Sequence, residues 1–346
     1  MSYPGFSDIS RSFAPGWFAA VMGTGVLALT TRSLGLRWPV LAVLAEALHW
    51  FNSVLFVLLA VPWLNRWLSF RSAAVQTLHH PVQANFYPTF SIALLVLAAQ
   101  WLAFASCVEV AMTLWWLGVI LHFTFSFVVL FIIFRGDQVG LDHVTPAHFI
   151  PAVGLVVMPL AGGPLLGHLD GVWREWALTI NVVGLGAGSM MYIGLFGLAL
   201  HRHYLHKPAA GILTPTIWIH LAPIGVIPVS LLNVVEQLPY PAAREGATVL
   251  MLLIWGFGVW WLVMACLLTL AARRAGQLPF ALSWWGFTFP VGAFVGESLR
   301  LTQVLGWSST LLVGVGAWLL LCFFWSVTLY RTLRGVASGA IFQPHP

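Results

Sequence analysis

Ten stretches of about twenty apolar residues follow one another along this chain, far more than a water-soluble core can absorb. Crossing the hydrocarbon layer of a bilayer takes roughly 20 residues of helix. On that length the spans fall at about 14–34, 39–63, 86–106, 110–134, 145–167, 175–199, 214–235, 246–270, 281–303 and 307–330. Charge is correspondingly scarce: 7% of the 346 residues are charged and 60% are hydrophobic, with a mean hydropathy of +0.91. A soluble domain carries about 25% charge. The chain is therefore expected to form a single all-α membrane domain over residues 1–346. Its first 13 residues hold no hydrophobic stretch, so the first span itself, and no cleavable signal, is expected to direct insertion.

The net charge of +5 could suggest a nucleic-acid partner, but no basic run exceeds Arg273-Arg274. The basic residues are spread between the spans and read as topology signals, with no nucleic acid implied. On one side lie Arg11, Arg66, Arg71, Arg135, Arg202, Lys207, Arg273, Arg274, Arg331 and Arg334, ten in all, against five on the other (Arg32, Arg37, Arg174, Arg244 and Arg300). The positive-inside rule then places both termini in the cytoplasm, and the chain is expected in the cytoplasmic (inner) membrane. Cys107, Cys266 and Cys322 have no pairing or metal-ligand spacing and read as packing residues.

Prolines sort the spans into two kinds. Every odd span has one in it or at its start: Pro15, Pro88, then Pro146, Pro151 and Pro159, then Pro215, Pro223 and Pro228, then Pro290. The even spans have none beyond Pro39 and Pro62, at the ends of the second. The first span also carries "GTG", Gly23 to Gly25, near its middle. Irregular backbone at membrane depth is tolerated only where protein or a water-filled cavity covers it. The chain therefore reads as five helical hairpins, each pairing a kinked inner helix with a regular outer one. The inner helices enclose a central pore, with Gly23, Gly25, Pro159, Pro223, Pro228 and Pro290 as helix-breaking, pore-lining positions.

Ionisable residues inside a membrane are functional candidates by default. Glu46 and His49 lie three apart on the second span and could share a proton, either for coupling or as a structural pair. His220, one turn before Pro223, and His148, before Pro151, are candidate proton or substrate contacts. His122 is assigned no role. Glu297 and Arg300, again three apart, are expected to pair with each other and to set the charge of the external mouth. Thr24, Thr89, Ser91, Thr216, Ser230 and Thr288 are candidate lining hydroxyls. The cluster "HRHYLHK", His201 to Lys207, lacks cysteine or carboxylate partners and reads as a basic membrane-surface segment, so no metal site is assigned.

Three stretches, "FAPGWFAAVMGTGVLAL" (Phe13 to Leu29), "HHPVQANFYPTFSIALLVLA" (His79 to Ala98) and "SWWGFTFPVGAF" (Ser283 to Phe294), resemble the tellurite-resistance/dicarboxylate transporter family. That family includes yeast malate permeases, fungal sulfite exporters and the plant slow anion channels. The resemblance covers nearly the whole chain. It implies ten helices in five hairpins around a pore, assembly as a homotrimer, and passage of small anions. It further implies that the phenylalanine of the family's "WWxxTFP" segment, Phe289 here, projects into the pore and gates it.

The expected function is thus transport of small anions, such as a C4-dicarboxylate like malate, sulfite or an inorganic anion, by a gated channel or secondary transporter, with protons as a further partner. No cofactor or enzymatic activity is expected, and nothing resembles a nucleotide-binding loop. The alternative is a membrane haem or quinone oxidoreductase using His49, His122, His148 and His220 as axial ligands, although no matched pair is visible in their spacing.

Overall fold

The computed structural model of the chain describes residues 3–136, 144–205 and 211–342. Among them no strand occurs. The α-helices are α1 (Phe6–Ser12), α2 (Ala19–Gly35), α3 (Val40–Ser69), α4 (Arg71–Leu78), α5 (Thr89–Ala103), α6 (Val108–Arg135), α7 (Ile150–Leu165), α8 (Gly171–Leu205), α9 (Leu221–Val235), α10 (Pro241–Arg274), α11 (Thr288–Leu305) and α12 (Ser308–Ala337).

Two classes of helix alternate. α3, α6, α8, α10 and α12 run 28 to 35 residues. Between them stand α2, α5, α7, α9 and α11, of only 15 to 18 residues. Each short helix is entered through a 3-10 segment: Pro15–Phe18, Gln83–Phe86, Pro146–Phe149, Gly211–His220 and Leu282–Phe287. The sequence chemistry favours this. Proline is tolerated where no helical N–H is needed, at the start of a helix, and Pro15, Pro146, Pro151, Pro223 and Pro290 all sit in such leaders or in the first turn that follows.

Burial separates the classes. In the short-helix segments Gln83–Ala103, Pro146–His168 and Gly211–Val235, between 67 and 89% of the most apolar stretch is buried, against 22 to 28% in the five long helices. Each short helix packs on the long helix that follows it, α2 on α3, α5 on α6, α7 on α8, α9 on α10 and α11 on α12. The short helices also pack on one another in chain order, α2 on α5, α5 on α7, α7 on α9 and α9 on α11, and α11 returns to α2.

Tryptophans tie the layers. Trp115 of α6 donates to the Met158 carbonyl at 2.9 Å, Trp255 of α10 to Ser298 at 2.9 Å, and Trp318 and Trp325 of α12 to Thr31 at 3.0 Å and Thr24 at 2.9 Å. An indole needs a partner for its N–H when buried, so each bond fixes the rotation of a long helix against a short one.

Among the described residues eight helical segments are long and apolar enough to cross a membrane, and a ninth counts if Phe6–Ser12 and Pro15–Gly35, bent by 93°, form one crossing. The expected span at 281–303 falls short because Glu297, Arg300 and Gln303 occupy α11. The protein is an all-helical, multi-pass membrane protein.

Candidate functional site

At the end of the bundle where the short helices begin lies a cavity of about 630 Å³. Its deep wall is apolar and comes from the first turn of each short helix: Met22 of α2, Ile92 of α5, Val153 of α7, Ala222 of α9 and Phe289 of α11. Phe289 is 4% exposed. Polar groups stand nearer the leaders: Arg66, His80, Gln83, Thr89, Thr216 and Ser283.

Arg66 is the cation of this wall. Its guanidinium donates to the carbonyls of Phe13 and Ala73, and to Thr77 Oγ1 at 2.7 Å, so it staples the α1–α2 linker to α4. Ser283, which opens the 3-10 leader of α11, donates to the Ile212 carbonyl in the leader of α9.

On α11 the helical phase can be read from its neighbours. A methyl at Gly292 would meet Val26 of α2, and one at Gly225 of α9 would meet the Ala293 backbone, so Gly292 and Ala293 flank the face between α2 and α9. At 100° per residue that face carries Phe289, Gly296 and Arg300 within about 20° of one line. Open space lies beyond Gly296, where a Cβ would touch nothing within 4 Å. The opposite face meets the long helices, through Ser298 and Phe294.

Arg300 does not pair with Glu297. Its Nη2 lies 2.8 Å from both carboxylate oxygens of Glu236, just past the end of α9, and Glu236 also lies 3.5 Å from Arg244 of α10. Glu297 is fully buried with neither carboxyl oxygen in a hydrogen bond. Spacing alone favoured the local pair. The end of α9 wins because it brings a carboxylate directly beside the guanidinium.

The other expected site residues are dispersed. Glu46 is exposed and accepts from Trp50 at 3.3 Å, whereas His49 is buried, stacked on Phe104 at 4.6 Å, with Nε2 3.3 Å from Ser106 Oγ; no direct Glu46–His49 bond forms. His148 Nδ1 bonds the backbone of Thr145 ahead of α7. His220 turns away from the cavity into an aromatic box of Trp261 (4.2 Å), Phe149 (4.7 Å) and Phe196 (5.4 Å). Of the six hydroxyls, Thr89 and Thr216 line the cavity. Ser230 donates to the Val156 carbonyl at 2.6 Å and Thr288 to that of Trp285 at 2.7 Å. Of the cluster His201 to Lys207, His206 and Lys207 lie outside the described residues.

Gly23 and Gly25 do not break a helix. α2 runs through both, and a Cβ would overlap Thr288 at the first and Val96 at the second, so they serve close helix packing. Pro290 and Pro223 stand in first turns, while Pro159 and Pro228 are interior. Carbonyls of α7 around Pro159 take side-chain donors: Trp115 on Met158, Ser230 on Val156, and Asn233 on Pro159 itself at 3.2 Å. Only Pro290 among these positions lines the cavity.

His122, given no role from sequence, bridges three helices. Nε2 lies 2.9 Å from the Pro151 carbonyl of α7 and Nδ1 2.9 Å from Ser91 Oγ of α5, with the ring against Gly154. Nothing in its surroundings of phenylalanines announces this. Arg300, expected at the external mouth, follows Phe289 by three helical turns.

These features define a multi-pass membrane protein of alternating short and long helices, with a cavity built on the starts of the short ones. The chain belongs to the SLAC1 family, the voltage-dependent anion channels, whose family model matches residues 12–333. It is 40% identical over 338 residues to an uncharacterized transporter of Methanocaldococcus jannaschii, covering 98% of this chain and 97% of that one. It is 26% identical to a sulfite efflux pump of Arthroderma benhamiae (84% and 82% covered) and 22% identical to a malic acid transport protein of Schizosaccharomyces pombe (96% and 81% covered). Its activity is anion transport across a membrane. The oxidoreductase alternative is set aside on that ground, and His122 in addition commits both ring nitrogens to Ser91 and the Pro151 carbonyl.

Proposed function

We propose that ten membrane-crossing segments form five hairpins, and that small anions move along the axis of the five short helices, past a gate formed by Phe289. The observation that carries this is the cavity, walled by the first turns of all five short helices and reaching Phe289. A helix start bears a positive partial charge. Five of them together draw anions without a deep cation that would hold an anion too tightly for rapid passage.

The relatives named for sulfite and malate make these the first anions to try, alongside chloride, nitrate and tellurite species. The exposed apolar faces of the long helices, such as Phe131, Leu253 and Leu312, suit lipid and the neighbours of a homotrimer. Both termini are placed in the cytoplasm of an inner-membrane protein, which puts the cavity on the cytoplasmic side. Proton coupling, with Glu46, His49, His148 or His220 as the responding group, is the carrier version of the same reading. Flux of sulfite, malate, chloride and nitrate into proteoliposomes, with and without a pH gradient, tests it. Uptake of at least one anion above empty liposomes is expected, and absence of flux for every anion overturns it.

A further inference from the structure

We propose that Arg300 recruits anions at the mouth opposite the cavity, and that Glu236 sets the strength of its field. The inference rests on the axial path proposed above. It starts from a difficulty in that path: the five helix starts that favour anions at the cavity imply five helix ends at the other mouth, where unpaired carbonyls carry negative partial charge. An anion passing that mouth needs a compensating cation.

Arg300 is placed to supply it. It lies eleven residues beyond Phe289, roughly 16 Å along the helix and within about 20° of the same face. Gly296, between them, opens on free space, and the Arg300 side chain is 29% exposed. Other cations at this end point elsewhere: Arg32 of α2 lies over the Phe104 ring at 4.7 Å, and Arg174 of α8 bonds Gln237 at 3.4 Å.

Glu236 is the regulator because it is shared. It takes Nη2 of Arg300 on both oxygens at 2.8 Å and also faces Arg244 at 3.5 Å, so two cations and one carboxylate leave the trio net positive. Gln303 reaches Arg300 Nη1 at 3.5 Å and adds no charge. On the Arg244 side the trio borders a groove of about 870 Å³, lined also by Glu245 and Tyr240. A guanidinium suits the planar or tetrahedral oxygen sets of carboxylates and small oxyanions.

The test is sulfite flux in right-side-out and inside-out membrane vesicles, with external sulfite varied in each. Arg300→Gln is expected to raise the half-saturating concentration about threefold on the side of its own mouth, with the cavity side unchanged. Glu236→Gln is expected to lower it on the same side by a similar factor, and raised ionic strength should shrink both effects. Arg300→Lys, which keeps the charge and loses the planar fork, should raise it by less than Arg300→Gln does on the same side. Equal shifts on both sides, or no shift in Glu236→Gln, would overturn the proposal while wild-type flux left the path intact. Should Arg300→Gln fail to fold, Glu236→Gln and Arg300→Lys decide by the same criteria. Lack of wild-type flux would sink path and proposal together.

Discussion

Gly225 of α9 faces the Ala293 backbone of α11 so closely that a methyl group at Gly225 would overlap the peptide. Small residues let membrane helices approach to this degree, and Gly292 against Val26 and Gly23 against Thr288 repeat the device between α11 and α2. Gly225→Ala is therefore expected to destabilise the protein by about 1–3 kcal/mol, read as a lowered melting temperature in detergent. Gly296→Ala, whose added carbon meets nothing, serves as the control and should melt with wild type.

Phe289 is the only aromatic ring in the deepest apolar ring of the cavity wall. Phe289→Ala should raise anion conductance while leaving the order of anion preference unchanged, because preference comes from the whole lining. Phe289→Leu should retain partial closure. Truncating a buried phenylalanine costs about 3–5 kcal/mol, so gel filtration must first show a folded alanine variant. An intact alanine variant that conducts no better than wild type would remove Phe289 as the gate.

His122 should matter for stability rather than passage. Its ring lies between Ser91 and the Pro151 carbonyl, away from the cavity, and is fully buried. His122→Ala would take a partner from the Pro151 carbonyl and from Ser91, which keeps its bond to the Pro88 carbonyl, and would leave a void beside Gly154, a loss of about 2–5 kcal/mol. Flux per folded molecule is expected to stay within twofold of wild type. A specific loss of flux in protein of normal melting temperature would contradict this.

Glu297 presents the reverse case. Its buried carboxyl makes no hydrogen bond, and an unpaired ionisable group taken out of water costs stability that a neutral isostere does not add to. Glu297→Gln should melt no lower than wild type, within about 1 kcal/mol. A clear drop would reveal a partner for the carboxyl in the membrane.

Thiol labelling tests the phase of α11. Gly296→Cys, on the face shared with Phe289 and Arg300, should react with a membrane-impermeant reagent from the Arg300 mouth and reduce flux. Ser298→Cys, packed against Trp255, should stay unlabelled. Labelling at Ser298 instead would rotate the path to the other side of the helix.

Much of the fold was legible before any coordinates. The prolines at the starts of the odd spans separated the short buried helices from the long exposed ones, because a residue without an N–H suits a helix start; the exception is Pro62, expected at the end of the second span and found inside the long helix α3. The helical segments Gln83–Ala103 and Pro146–His168 stand over the apolar runs at 86–106 and 145–167. The site was less legible. Glu297 and Arg300 are three apart on one helix, yet the arginine takes Glu236, 64 positions away, and the glycines of "GTG" pack helices together without breaking one. His122 gave no local sign that it would join α5 to α7. The apolar runs determined that the chain is an all-helical, multi-pass membrane protein, and the prolines marked its short, buried helices. Only tertiary packing decided the rotation of each helix about its axis, because that rotation depends on neighbours contributed by distant segments, and with it which side chains meet.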